Sequence, residues 1–501
     1  MNFIDEILNK ITIYRLAVYV LAIFTGLGVV FAFLGKMSFT PTNLVVSFMI
    51  LIVSTYIVDR VFGRIFNTPN NTESALITAL ILLLIMAPAH STMTGIALLV
   101  AGAAASASKF LLSYNGKHIF NPAAFAAALL SLAQLDAATW WIGNSIFWPF
   151  TFILGLAIIR KVRRAPLVTA FVVISAILEA FVILHSHQTL DENYKHALLA
   201  SPLIFLSTIM LTEPATMPPR RNQQMIFGAL VAVLYVMAWK IGPLTIYPEV
   251  ALLIGNIFAF IISPKFKVRL ELKEVQQVSD RVYNYIFQPE RRFAFLPGQY
   301  MEWTLPNVPY DSRGNRRTFT IASSPTENEV HLGMKYYEPA SMFKATFAEL
   351  KPGDTIYASQ LAGNFTLNGN EDKKLAFIAG GIGITPFRSM IKYIADQNLK
   401  SDVVLLYVVS DRQEFAYAAE LKAAREQGVR TVPIVTEEGH SSSGVISAKL
   451  SPELISKAVP DFGERIFYVS GPNQMVDSTK KYLHSLGVSI NSIKTDHFSG
   501  Y

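Results

Sequence analysis

Ten apolar segments fill the first 264 residues, at about 13–34, 41–62, 74–88, 92–113, 121–136, 145–159, 166–186, 197–212, 225–240 and 246–263. Several reach the ~20 residues that a helical bilayer crossing needs. Inside hydrocarbon each backbone N–H and C=O must be satisfied internally, so such segments read as membrane helices. The third, fifth, sixth and eighth are short for a crossing. A mean hydropathy of +0.37 with only 16% charged residues is too oily for a soluble protein of this size. A length of 501 residues predicts two or more domains.

Charge is distributed as membrane topology requires. Residues 1–264 hold 15 Lys/Arg against 10 Asp/Glu, and the rest of the chain is nearly balanced at 28 against 26, so the basic excess sits in the oily half. With the N-terminus inside, twelve of these cations fall in inner loops and three (Lys36, Lys195 and Lys240) in outer ones. That bias predicts an even number of crossings, both termini in the cytoplasm, and an integral protein of a bacterial-type cytoplasmic membrane. Met1–Thr12 lacks a basic leader and a small-residue cleavage site, so no signal peptide is expected. Nucleic-acid binding, the other meaning of a pI near 9.2, has no basic patch with interleaved aromatics to support it.

The segments also suggest an internal repeat. The fifth opens on Phe120-Asn121-Pro122-Ala123 and the tenth on Tyr247-Pro248-Glu249, and the third and eighth are matching short ones. An offset of five crossings gives two inverted halves whose irregular helices meet near mid-bilayer, where transporters place ligand or ion sites. Glu179 is a carboxylate within an apolar segment, which suggests proton or cation handling or a reach to water. The run Ser74–Leu80, the stretch Lys109–Phe125, Thr212-Glu213-Pro214-Ala215-Thr216 and Ile226–Leu230 together resemble the RnfD/NqrB membrane subunits of ion-translocating NADH dehydrogenases, over most of residues 40–264. The resemblance implies a flavin in this half. The short loop around Ala138-Thr139-Trp140 holds only a fragment of the family's covalent attachment motif. It therefore points to non-covalent FMN or riboflavin beside Asn121, Thr212 and Thr216. The same residues also serve to satisfy the backbone of broken helices.

From residue 265 the pattern changes. Alternating segments at Lys267–Leu272, Arg281–Phe287, Met301–Leu305, Arg317–Ile321 and Val330–Tyr336 predict a small antiparallel barrel over 265–370. From 371 to 501, strand–helix alternation predicts a parallel α/β domain, with strands at Leu375–Ala379, Val403–Val409, Arg430–Val435, Arg465–Ser470 and Ser492–Asp496. In Arg317-Thr318-Phe319-Thr320, strand alternation puts Arg317 and Phe319 on one face. A guanidinium fork suits a pyrophosphate, a flat ring suits a flat heterocycle, and the Thr320 hydroxyl suits a ring nitrogen. These residues also make an ordinary edge strand.

Their company distinguishes the two readings. Pro297-Gly298-Gln299-Tyr300 precedes them; Gly353-Asp354, Gly363-Asn364-Phe365, Gly380-Gly381-Ile382-Gly383-Ile384-Thr385-Pro386 and Ser470-Gly471-Pro472-Asn473-Gln474-Met475 follow, and Phe498-Ser499-Gly500-Tyr501 ends the chain. In this order over 266–501 they resemble the ferredoxin-NADP reductase superfamily, with its Arg-x-Tyr/Phe-Ser/Thr flavin motif. The resemblance implies FAD on Arg317, Thr318, Phe319 and Thr320, with Lys335 and Ser341 at its phosphates. It implies NADH or NADPH on Gly380, Gly381, Gly383, Thr385, Gly471, Pro472 and Met475. Ser410 and Arg412 stand where relatives read the adenosine ribose. The implied chemistry is hydride transfer from nicotinamide C4 to flavin N5, with Thr320, Thr385 and Ser470 beside the reacting rings and Tyr501 over the flavin face. Ser470 stands where relatives usually have cysteine, and the glycine usual before Ser341 is missing.

The chain has no cysteine, which excludes disulfides, thiolate-bound iron–sulfur clusters and CxxCH haem attachment. The histidines of the first half lie at segment ends, where paired axial ligation of haem inside a helix is not available. The sequence thus reads as a membrane-bound, FAD-dependent NAD(P)H dehydrogenase, passing electrons through a membrane domain to quinone or an outer acceptor, with ion coupling open. The alternatives are a transporter fused to a reductase that acts on its cargo, and a membrane anchor whose reductase serves a separate partner.

Overall fold

A computed structural model describes residues 8, 11–66, 72–114, 117–186, 190–241, 244–263, 267–305, 315–338, 340–367, 369–437 and 444–498. The chain forms two compact units, Met1–Lys265 and Phe266–Tyr501.

The helices of the first unit are, in order, α1 (Ile13–Phe33), α2 (Pro41–Ile65), α3 (Thr72–Ile85), α4 (Thr92–Leu111), α5 (Pro122–Leu132), α6 (Trp148–Val162), α7 (Ala165–His185), α8 (Leu190–Leu199), α9 (Arg221–Met237) and α10 (Pro248–Ile262). Among the described residues five stretches are long and apolar enough to cross a bilayer: α1, α2, α4, α7 and Ser145–Val162, which contains α6. The apolar helices α3, α5 and α10 run only 14, 11 and 15 residues. The eighth apolar segment, expected over 197–212, is broken: α8 ends at Leu199, Pro202 precedes the short piece Leu203–Phe205, and a π turn follows over Leu206–Met210.

The exposed ends of short helices are satisfied by bonds to other parts of the unit. Where α3 stops, the Ile85 carbonyl accepts from Thr139 N (2.8 Å) and Trp140 N (2.9 Å), and Met86 bridges Ala138. Carbonyls left over at a helix end are thereby satisfied by protein rather than by water. At the start of α5, Asn121 Oδ1 accepts from Ala124 N (3.0 Å), while the Asn121 N–H donates to Asn256 Oδ1 on α10 (2.9 Å). One continuous apolar core, from Leu16 to Ala259, encloses these breaks.

In the second unit, β1 (Lys267–Ser279), β2 (Val282–Pro289), β3 (Tyr300–Thr304), β4 (Arg316–Thr320), β5 (Val330–Lys335) and β6 (Thr355–Ala362) form an antiparallel sheet in the order β4-β3-β6-β1-β2-β5. Its edges approach where Ala322 N donates to His331 O (2.9 Å), and the interior is filled by Trp303, Phe287 and Phe347, the last from the short helix α11 (Met342–Ala348). Strand β6 has no counterpart in the sequence reading. It follows the Gly353-Asp354 turn; Thr355-Ile356-Tyr357 open it with β-forming residues, but Ala358-Ser359-Gln360 carry a weak β signature.

Then β7 (Leu375–Gly380), β8 (Val403–Val409), β9 (Val429–Val435), β10 (Ile446–Ser447), β11 (Ile466–Pro472) and β12 (Ile493–Phe498) form a parallel sheet in the order β10-β9-β8-β7-β11-β12. β7 and β8 are buried throughout, as strands covered on both faces must be. The chain winds outward from β7 through β8 to β10, then returns to lay β11 on the other side. The order therefore reverses between β7 and β11, and the crevice past their carboxyl ends is where such sheets bind ligands.

Candidate functional site

Two sites stand out, one in each unit. In the second, a cleft of about 300 Å³ lies where the barrel's β4 and β5 face the ends of β7, β8 and β11. From the predicted set it gathers Phe319, Thr320, Lys335, Gly380, Gly381, Thr385, Ser410, Pro472 and Met475. Along β4 burial alternates, with Arg317 and Phe319 half-buried on one face, Thr318 exposed and Thr320 buried. Phe343 of α11 fixes that face: the Arg317 guanidinium lies 5.2 Å from its ring centre and the Phe319 ring 5.8 Å away. Ser341 caps α11, its Oγ accepting from Lys344 N (3.3 Å).

On the α/β side, a 3₁₀ turn (Gly381–Ile384) leads from β7 into α12 (Thr385–Asp396), with Pro386 in the first helical turn. A Cβ on Gly380 would lie 2.2 Å from Met475 Sδ, and one on Gly383 2.5 Å from the Ser470 carbonyl. A Cβ on Gly471 would lie 3.1 Å from the Gly380 Cα. Gly381, at φ +53°, has open space where its side chain would be. The glycines thus press the turn against β11 and leave its backbone bare toward the cleft, a cradle suited to nucleotide phosphates at a helix start. Ser470 is fully buried, its Oγ without a hydrogen-bond partner among the described residues. Arg412 lies exposed in the turn after β8 and does not line the cleft. Tyr501 falls outside the described residues; the cleft is lined at that end by Phe498.

Charge in the cleft favours anions. Lys335 and Lys344 both line it, against one carboxylate, Glu414, which pairs with Lys335 at 2.6 Å and receives the Ser410 N–H at 3.4 Å. Lys344 donates to the Lys335 carbonyl (2.8 Å); burial, then the neighbouring Lys335 charge, pushes its ammonium down to about 8. Behind the cleft, burial and then the Arg388 charge push His331 down to about 4. These donors and the glycine cradle fit two phosphate-bearing cofactors, one on each side.

In the first unit, a cavity of about 90 Å³ is lined by Asn121, Thr212, Glu213, Lys109, Ser74 and Thr78 on its polar side, and by Ile13, Ile77 and Ile158 among apolar residues. Glu213 organises it. Its Oε2 accepts from Asn121 Nδ2 (2.9 Å) and Thr216 Oγ1 (3.2 Å), and its Oε1 lies 3.0 Å from His118 Nε2. Lys109 Nζ donates to both Ser74 O and Ser74 Oγ at 3.1 Å. The structure therefore brings Asn121, Thr212 and Thr216 together as the sequence reading expected, but round a carboxylate and a lysine that the reading passed over. Glu213 and Lys109 both lie in stretches that carry the RnfD/NqrB resemblance; their meeting in a broken-helix core depends on the fold. A second buried carboxylate, Glu249, opens α10 and accepts from Trp140 Nε1 (3.0 Å). Glu179 lies half-buried on α7, away from the cavity lining. Among the described residues no group of three metal-ligating side chains occurs.

Residues 377–481 match the oxidoreductase NAD-binding domain family. The second unit is also similar to the NADH oxidoreductase HCR of Escherichia coli, at 25% identity over 44% of this chain and 65% of that protein. It is similar to a flavohemoprotein of Candida albicans, at 26% identity over 45% of this chain and 58% of the relative. Among solved structures, a ferredoxin NADP+ reductase from Neisseria gonorrhoeae with bound FAD and NADP aligns at 22% identity and a TM-score of 0.40, covering 47% of this chain and 99% of that one. The chain spans less than two thirds of the length of these two curated relatives. The matches identify the second unit as an oxidoreductase module of the FAD- and NAD(P)H-binding kind.

Proposed function

We propose that this chain is a membrane-bound NAD(P)H oxidoreductase whose second unit binds FAD and NAD(P)H and whose first unit receives the electrons. One observation carries the reading: a single cleft unites the aromatic-hydroxyl strand of the barrel with the glycine turn at the switch point of the parallel sheet. FAD, when bound, would supply the chemistry of taking a hydride and releasing its electrons singly. Phe319 and Thr320 supply a stacking face and a hydroxyl, and Arg317 a fork for phosphate oxygens. The turn Gly380–Thr385 would hold the dinucleotide on its backbone N–H groups, with Thr385 beside the nicotinamide and the buried Ser470 just behind it. Lys335 and Lys344 offset the phosphate charge.

In the first unit, the reading rests on the RnfD/NqrB resemblance and on the cavity beside Asn121, Thr212 and Thr216. Its volume is below the ~150 Å³ that receives a benzene ring. It therefore takes the polar edge of FMN, riboflavin or a quinone, with the apolar wall of Ile13 and Ile77 yielding to the remainder. Glu213 and His118 stand ready to exchange a proton with that edge. Ten crossings in two inverted halves, cytoplasmic termini and a quinone or extracytoplasmic acceptor belong to this proposal. The short α3, α5 and α10, with the contact of the α5 start to Asn256 within α10, support the inverted arrangement.

A second reading makes the first unit an anchor and gives the electrons to a separate protein. It is favoured by two relatives named as oxygenase components, methane monooxygenase component C and a glycine betaine monooxygenase reductase subunit. Extraction of flavin from purified protein, followed by anaerobic addition of NADH and then of a short-chain quinone, separates the two. FAD plus a second flavin or bound quinone, with quinone reduction abolished in Asn121→Ala, supports electron entry into the membrane. FAD alone, with quinone reduction unchanged in that variant, supports the anchor.

A further inference from the structure

Thr320 and Thr385, which face each other across the cleft, are joined behind it by a buried cation. Arg388 lies three residues beyond Thr385 on α12, one helical turn along the same side. Its side chain is 4% exposed. Nη1 donates to the carbonyl of Ala322, two residues beyond Thr320, at 3.3 Å, and to Glu327 Oε2; Nη2 donates to Glu327 Oε1 at 3.0 Å. Glu420 stands 3.5 Å from Nη2. The adjacent Ser389 Oγ donates to the Ser323 carbonyl at 2.6 Å.

The receiving turn is itself fixed. Glu327 Oε2 accepts from Ser324 N (2.6 Å), and Ser323 Oγ accepts from His331 N on β5 (3.1 Å). The guanidinium sits 5.9 Å from the Tyr417 ring centre, and the Tyr417 hydroxyl donates to Asn284 Oδ1 on β2 (3.4 Å). There is no slack alongside: a Cβ on Gly333 would lie 2.6 Å from Thr385 Cγ2 and 2.5 Å from the Tyr417 hydroxyl oxygen.

We propose that the Arg388–Glu327 fork is a positioning element for hydride transfer, setting the register of α12 against β4 and hence the separation of the two bound rings. This rests on the reading of the cleft as the FAD and NAD(P)H site. A bidentate guanidinium–carboxylate pair fixes distance and plane together, which a point charge or an apolar contact does not. Buried ion pairs are frequently replaceable by apolar side chains without loss of stability, so stability alone gives no reason for this one. Geometry does, because a misplacement of about 1 Å costs on the order of 10²-fold in rate.

The test compares the full chain with Glu327→Gln and Arg388→Lys by anaerobic stopped-flow, reading FAD content, flavin bleaching at saturating NADH or NADPH, and the long-wavelength charge-transfer absorbance of the stacked rings. The expected result is full FAD content and a KM for the dinucleotide within about twofold of the parent, with bleaching slowed on the order of 10²-fold and the charge-transfer band weakened in both variants. Bleaching within about threefold of the parent in both variants overturns the proposal. So does loss of rate only in proportion to loss of FAD, which would make the fork an ordinary structural pair. A parent protein that holds FAD but is bleached by neither dinucleotide overturns the reading of the cleft itself, and is seen before any variant is compared.

Discussion

In the second unit, Thr320, Gly380 and Pro472 reach their cleft from the ends of regular strands, each delivered by a sheet that is complete without it. In the first unit, Asn121, Glu213 and Asn256 meet where helices stop or are interrupted, and each satisfies the backbone or side chain of another. The difference follows from the surroundings. A loop at the edge of a soluble sheet leaves spare donors and acceptors to water, so a ligand can use them with little rearrangement. Within an apolar helical core an unused polar group is expensive, so site residues there form a closed set in which one change orphans its neighbours.

Substitutions test that contrast, and the largest effect belongs to the cleft. Arg317→Ala is expected to abolish FAD retention and NAD(P)H oxidation; purified protein with its yellow colour and turnover intact would refute the motif. A first unit that unfolds in that variant, read by proteolysis in detergent, would break the independence of the two sites.

Next comes acid stability in the second unit. His331 is held near 4 when folded against about 6.5 unfolded, so the unfolded chain binds the extra proton between those values. Stability therefore falls as pH drops from 6.5 to 4, by on the order of 3 kcal/mol, and His331→Gln should flatten that slope in thermal melts of the second unit's transition. A slope unchanged by the substitution would count against a buried neutral imidazole.

Asn121→Ala, in the first unit, leaves Glu213 and the Ala124 amide short of a partner; a loss of about 1–3 kcal/mol in that unit's stability is expected. Direct ferricyanide reduction by the FAD should persist. Equal loss of both would mean the sites are not separable.

The smallest effect is at Lys344. Its ammonium, already lowered to about 8, discharges as pH rises through that value, so apo-protein affinity for FAD should fall between pH 7 and 9. Lys344→Met should bind FAD about tenfold more weakly at pH 7, with a flat pH profile, measured by fluorescence quenching.

Sequence alone carried much of the second unit because its cues are local. Arg317 to Thr320 declare themselves by alternation, and the Gly380–Thr385 turn by its place between a strand and a helix. Glu414 and Lys344 line the same cleft but have no local signature; they arrive from a loop and a helix face that only tertiary folding brings together. Arg388 was equally silent, since its partner Glu327 lies 61 residues away in sequence. In the first unit hydropathy located the apolar stretches but not which of them continue as helices. Segment eight was legible as oily, whereas its interruption after Leu199 and the π turn at Leu206–Met210 depend on neighbours that sequence does not list.

The bond from Asn121 N to Asn256 Oδ1 spans 135 residues, nearly the whole second half of the helical unit. During synthesis, the start of α5 is made long before its partner leaves the ribosome. Until residue 256 arrives, that amide must be satisfied by something other than Asn256. A message cut short between these positions would thus yield a product with an open seam, marked for quality-control proteolysis rather than for partial activity.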